Sequence, residues 1–247
     1  MLVWQYDAAW AQAPALPQDS MNIRAVVYGD GLVSGYKLHP DQSLAAKLNR
    51  RIRQGGFTNV TVMDMSGPSE TTGTGVERLR TLLDQKPDIV IVALGDNDGR
   101  EGISIEIAYK NLLTIVSVLS QRKIYVILVG YKAPADKGYV YDKRFEAMYT
   151  NLQDTFGFAF YPFVLNGIVD NQDMSMADGY HPNNKGMEMM SEQIYPLLDG
   201  AVRWAWTAKE QHQEWMEQRN EEGAGISTVP GIPTPPQDAP VTAPIPH

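Results

Sequence analysis

Short unbroken apolar runs alternate along this chain with longer stretches whose apolar residues recur at helical spacing. Residues 23–28, 60–63, 88–94, 124–129 and 158–163 form the short runs, rich in Val, Ile and aromatic residues, and read as strands. The third is the strongest. Asp88-Ile89-Val90-Ile91-Val92-Ala93-Leu94 is apolar almost throughout, as a strand covered by helices on both faces must be. Between the runs, residues 43–54, 76–85, 103–119, 145–155 and 184–198 read as helices. In the first of these Leu44, Ala45 and Leu48 share one face, while Arg50, Arg51 and Arg53 turn towards the other. Strands and helices taking turns at this rhythm predict an α/β fold built on a doubly wound parallel sheet.

Residues 21–200 carry this pattern and are expected to form one domain. Residues 1–20, rich in Ala, Gln and Pro, read as an N-terminal arm. Beyond Gly200, residues 201–222 predict a polar helical extension with Trp204 and Trp215 on nearly one face. That stripe is expected to pack back on the domain, and it also offers a surface for a homo-oligomer contact. Residues 223–247 have the Pro-, Gly- and Thr-rich composition of a flexible tail.

A net charge of -8 argues against nucleic acid or an anionic membrane as the main partner, since both need concentrated Lys and Arg. With no cysteine, neither a disulfide nor a thiolate site or nucleophile can form. No stretch is long and apolar enough to read as a bilayer span. Ala11-Gln12-Ala13 has the form of a signal cleavage site, but Gln5 and Asp7 interrupt the apolar core such a signal requires. Location is therefore open, with a bacterial periplasmic or secreted setting slightly ahead of a cytoplasmic one.

Polar and glycine-rich clusters sit where the strands end. The first run breaks at Gly29-Asp30-Gly31-Leu32-Val33-Ser34-Gly35, the second leads to Ser66-Gly67-Pro68-Ser69-Glu70-Thr71-Thr72, and the third to Gly95-Asp96-Asn97-Asp98-Gly99. Late in the chain comes Asp178-Gly179-Tyr180-His181-Pro182-Asn183. In a doubly wound sheet such loops converge on the carboxyl edge, where ligands bind. A histidine three residues after an aspartate reads as a general base with its orienting carboxylate. Asp30 and Asp98 read as braces for their turns. A dinucleotide-binding module is the alternative from another class, because Gly29-x-Gly31-x-x-x-Gly35 approaches a phosphate fingerprint and Asp64 ends the second strand. Against it, Tyr36 to Pro40 interrupts the helix that should follow, and Asn97 and the Asp178/His181 pair are left without a role.

Taken together, the four clusters resemble the SGNH (GDSL) hydrolase family, and within it the bacterial lysophospholipase and acyl-thioesterase I type of esterase. The clusters match that family's Gly-Asp-Ser-Leu, Gly-Glu-Thr-Thr, Gly-x-Asn-Asp-Gly and Asp-x-x-His-Pro-Asn blocks in order. The resemblance implies a flavodoxin-like three-layer α/β/α fold with a five-stranded parallel sheet. It also implies a carboxylic ester hydrolase working through an acyl-enzyme, with a small acyl ester as substrate and neither cofactor nor metal. In that mechanism His181 activates a serine, Asp178 orients His181, and backbone N–H groups with the Asn97 side chain hold the oxyanion. Two departures matter. The serine position falls on Gly31, which cannot form an acyl-enzyme, and the oxyanion glycine falls on Ser69, with Gly67 as the alternative donor. The chain thus reads as an esterase inactivated at position 31, with a noncatalytic ligand-binding pseudoenzyme as the alternative. Gly99, Ile103 and Tyr139 are the expected walls of the acyl pocket.

Overall fold

The computed structural model describes residues 22–221; the N-terminal arm and the Pro-rich tail expected from the sequence lie outside them. Five parallel strands, β1 (Ile23–Gly29), β2 (Val60–Asp64), β3 (Ile89–Ala93), β4 (Tyr125–Val129) and β5 (Ala159–Tyr161), form one sheet in the order β2-β1-β3-β4-β5. Every residue of β3 is buried, which explains its continuous apolar sequence. The chain steps from β1 outward to β2 and then back past β1 to β3, so strand order reverses between β1 and β3. Their register pairs Gly29 with Ala93, and the loops leaving these two residues open side by side. That is the point where an open α/β sheet offers a crevice.

Eight α-helices complete the described residues: α1 (Gly31–Ser34), α2 (Leu44–Gln54), α3 (Thr72–Glu77), α4 (Leu79–Asp84), α5 (Asp96–Glu101), α6 (Ile105–Gln121), α7 (Tyr139–Phe156) and α8 (Asn184–Glu221). Helix α2 packs on α8, while α3, α6 and α7 pack in sequence on one another, giving a helical layer on each side of the sheet. Ser43 caps α2 by accepting from the Ala46 N–H at 3.3 Å. Lys47 of α2 is buried at 3% exposure and holds Glu188 of α8 at 2.8 Å, with Arg51 reaching Ser191 at 2.8 Å and Glu192 at 2.7 Å. A buried ammonium is tolerated only when paired, so this contact fixes how α8 lies on α2.

The helices differ from the sequence expectation in four places: α7 starts at Tyr139, before the expected Phe145, and the other three differences each have a local reason. Thr71 accepts from the Thr74 N–H at 3.2 Å, so the helix expected from residue 76 starts at Thr72 and breaks at Arg78 into two. The segment after β3 curls at once into α5, and Gly102 at φ +73° separates it from α6, which Ser104 caps. The closing helix does not stop before Gly200. Leu198, Ala201, Val202, Ala205 and Trp206 are all buried and keep the helical spacing, and this packing outweighs the roughly 1 kcal/mol a helical glycine costs. Within the extension Trp204 packs on Tyr125 with ring centroids 5.1 Å apart, and Lys209 binds Asp88 at 2.9 Å, anchoring the helix beneath β3 and β4. Trp206 is the deeply buried tryptophan, whereas Trp215 stacks on His212. No helix among the described residues is long and apolar enough to cross a membrane.

Candidate active site

Close approach shapes the first loop. A Cβ on Gly29 would lie 2.2 Å from Val33 Cγ2 and 2.9 Å from the Ala93 carbonyl oxygen, so only glycine fits beside β3. Asp30 follows, fully buried, and caps α1 by accepting from the Leu32 N–H at 3.1 Å. Its carboxylate also accepts from the Asp96 N–H at 3.1 Å and the Tyr131 hydroxyl at 3.1 Å, tying together the loops after β1, β3 and β4. Burial, then the neighbouring Asp96 carboxylate, push its pKa well above the ordinary carboxylate range, and the three donors offset this only in part. Asp30→Ala would strand three buried donors and should cost on the order of 3 kcal/mol in urea unfolding, with Asp30→Asn costing less because an acceptor oxygen remains.

Position 31 opens the four-residue helix α1, and Gly35 at φ +72° closes it. The Ser34 hydroxyl is committed to the Gly31 carbonyl at 3.2 Å. Above Gly31 stands a tight turn from the second loop, in which Glu70 N–H donates to the Gly67 carbonyl at 3.2 Å, leaving Pro68 and Ser69 at the tip. A Cβ at position 31 would meet the Pro68 carbonyl oxygen at 3.1 Å. Gly67 N–H donates to the Gly29 carbonyl at 3.0 Å, so of the two N–H groups weighed from the sequence that of Gly67 is already spent. Glu70 is held in turn by the Thr74 hydroxyl at 2.6 Å and by an ion pair with Arg78.

Asn97 does not stand open towards a ligand as expected. Its side-chain nitrogen donates to the Pro68 carbonyl at 3.1 Å and the Glu70 carbonyl at 2.7 Å, bracketing Ser69, so one N–H must let go before it can meet an oxyanion. Asp98 is a brace, as the sequence suggested. Buried, it accepts from Thr72 N–H at 2.8 Å and the Thr72 hydroxyl at 2.5 Å, and burial raises its pKa.

In the late loop Asp178 and His181 face each other, with Asp178 Oδ2 2.8 Å from His181 Nδ1. The other carboxylate oxygen accepts the N–H groups of Tyr180 and His181, each at 3.0 Å. Partial burial works against ionising Asp178, but these N–H groups and the ring outweigh it and bring its pKa down to about 2. An ionised carboxylate can only accept, so the Nδ1 proton of the neutral imidazole lies towards Asp178 and Nε2 is left as the base. Asn183 fixes the loop's exit, donating to the Asp173 and Ser175 carbonyls at 3.0 and 2.9 Å and capping α8.

Residues 27–189, spanning these loops, match the GDSL-like Lipase/Acylhydrolase family. The chain belongs to this family. An arylesterase from Vibrio mimicus is 30% identical over 170 residues, covering 68% of this chain and 84% of that protein. The thioesterase 1/protease 1/lysophospholipase L1 of Escherichia coli K12 is 27% identical over 179 residues, covering 70% and 84%. The crystal structure of TesA superposes with a TM-score of 0.68 at 28% identity, covering 72% of this chain and 99% of that one. The family resemblance and the three-layer fold expected from the four blocks are thus borne out.

The three residues expected to wall the pocket of this GDSL-like acylhydrolase fall in different surroundings. Gly99 is buried against Pro134 and the Phe145 ring, so it serves packing and presents no open wall. Ile103 is half-buried and takes the Tyr141 hydroxyl on its carbonyl at 3.4 Å. Tyr139 is 75% exposed in the first turn of α7, a helix expected to begin only at Phe145. Tyr131, just after β4, belongs to the core through Asp30. The dinucleotide reading fails on geometry, since α1 has four residues where a phosphate loop opens a long helix, and Asp64 is bonded to Ser66. Among the described residues no three carboxylates or imidazoles gather to hold a metal ion.

Proposed function

We propose that this GDSL-family chain carries a serine-type ester hydrolase site without its nucleophile. It would hold small acyl esters, or the carboxylates they yield, without cutting them through an acyl-enzyme. The Asp178–His181 pair carries this reading: a carboxylate ionised at any physiological pH orients an imidazole whose second nitrogen is left to take a proton. The backbone N–H groups of Gly31 and Ser69 would receive the carbonyl oxygen, with Asn97 holding the turn that presents Ser69. Relatives named as an arylesterase and a thioesterase/lysophospholipase favour oxygen or thiol esters as the ligand class.

A noncatalytic binding protein of the same fold is the second reading, favoured by one contact. The Pro68 carbonyl already rests 3.1 Å from where a side chain at position 31 would begin. Thermal shift on the chain with Gly31 in place tests the binding half shared by both readings. Butyrate or octanoate near a hundredfold excess over Kd should add about 2.7 kcal/mol and raise Tm by about 5 °C or more, whereas NAD should leave it unchanged. Stabilisation by NAD and none by fatty acids would sink the proposal. Turnover on Gly31→Ser separates the two readings.

A further inference from the structure

We infer that Tyr180, Asp96 and Arg100 form a latch between the histidine loop and α5, acting as positioning residues that hold His181 in its base-competent tautomer. The kinetic half of this inference rests on the esterase reading; the geometric half does not. Asp96 and Tyr180 occupy places the family's blocks leave open, the x of Gly-x-Asn-Asp-Gly and the second x of Asp-x-x-His, so the blocks assign them no role.

The structure joins them across the crevice. The Tyr180 hydroxyl donates to Asp96 Oδ1, while Arg100 Nε donates to Asp96 Oδ2 at 2.9 Å. The Arg100 guanidinium also lies 4.0 Å from the centroid of the Tyr180 ring. Asp96 is 4% exposed and is itself held through its N–H by Asp30, so the anchor for Tyr180 is rigid. Burial, then the Asp96 carboxylate, raise the Tyr180 hydroxyl far above the ordinary phenol range, which keeps it a donor at every working pH.

The latch bears on the imidazole, not merely on its loop. The loop backbone is closed without Tyr180, by the Asn183 side chain, by Met176 N–H on the His181 carbonyl at 2.7 Å, and by a bridge between Ser175 and Pro182. What Tyr180 adds is an edge-on wall 5.7 Å from the His181 ring, facing Tyr36 at 4.9 Å on another side. Between the anchored Tyr180 ring and the Tyr36 ring the imidazole has little room to rotate out of line with Asp178.

Ring-nitrogen NMR of the chain with Gly31 in place, labelled at histidine, tests this without any turnover. With the imidazole neutral, His181 should show one tautomer, protonated at Nδ1. Tyr180→Phe keeps the ring and removes only the hydroxyl, and Arg100→Gln removes the guanidinium. Each should bring in the Nε2-protonated form as a substantial second population. In a Gly31→Ser background Tyr180→Phe should lower kcat about tenfold, the worth of one hydrogen bond to a charge, with KM within about twofold, and Arg100→Lys should retain more activity than Arg100→Gln. An unchanged single tautomer in both Tyr180→Phe and Arg100→Gln overturns the inference. Should Gly31→Ser itself prove silent, the esterase reading falls and the tautomer spectrum alone decides the latch.

Discussion

Gly31→Ser should switch on hydrolysis of p-nitrophenyl acetate and butyrate. A serine hydroxyl is a poor nucleophile until a neighbouring base takes its proton, and His181 is already oriented for that transfer by Asp178. Deleting the serine of a serine hydrolase costs about a millionfold in kcat, so even an imperfect restoration should raise turnover by on the order of 10³-fold or more. Geometry sets the discount. The new Cβ would sit 3.1 Å from the Pro68 carbonyl oxygen, and the turn must give by a few tenths of an ångström. That turn is exposed at Pro68 and Ser69, so it has room to shift, yet Asn97 holds the carbonyls of Pro68 and Glu70. Movement of the turn would loosen one of those bonds and release an Asn97 N–H towards the developing oxyanion. In the esterase reading the same small shift would admit the hydroxyl and free a donor for the tetrahedral oxyanion. Initial rates on a panel of short and medium acyl esters, with a melting curve to establish folding, measure the outcome. A folded Gly31→Ser protein that hydrolyses none of them would exclude the disarmed-esterase reading and leave the binding protein.

The parts of this molecule legible in its sequence are those that obey a local rule. β3 announces itself because burial on both faces demands an unbroken apolar run. Asp178 and His181 sit on one turn, so their spacing alone brings them together. The extension of α8 through Gly200 was hidden because glycine usually ends a helix, and only the buried stripe of Leu198, Ala201, Val202, Ala205 and Trp206 overrides it. The braces were less legible still. Tyr131 meets Asp30 across 101 residues, Tyr180 meets Asp96 across 84, and no periodicity encodes either contact. That the Gly67 N–H is already spent on the Gly29 carbonyl is a matter of hydrogen-bond accounting that needs coordinates. The exposure of Tyr139 was not legible because α7 begins six residues earlier than its apolar pattern suggests, carrying that side chain onto an exposed first turn.

In the Gly31→Ser background, Asp178→Asn should cut kcat by on the order of 10³ to 10⁴-fold, and His181→Ala should return the rate to that of the chain with Gly31. A carboxylate only accepts, so it dictates a proton on Nδ1 and a lone pair on Nε2. An amide can turn its NH₂ to the ring, accept no proton, and leave the imidazole with its lone pair on the wrong nitrogen. Substrate contacts are untouched by either change, so KM should move much less than kcat. The acid side of the pH profile follows from the same pair. With its pKa down at about 2, Asp178 stays charged throughout any practical assay, so a loss of rate on mild acidification does not come from this carboxylate. For stability the sign is that of a depressed carboxylate. The folded protein binds this proton less readily than the unfolded chain, whose aspartate titrates near 3.9, so the contribution is whole above about pH 4 and is lost as pH falls through about 2. Asp178→Asn should therefore flatten the acid limb of the unfolding curve in that window while removing most of the rate at neutral pH. Retained activity in Asp178→Asn would mean that the imidazole finds its tautomer without the carboxylate, and the base would then have to be sought elsewhere.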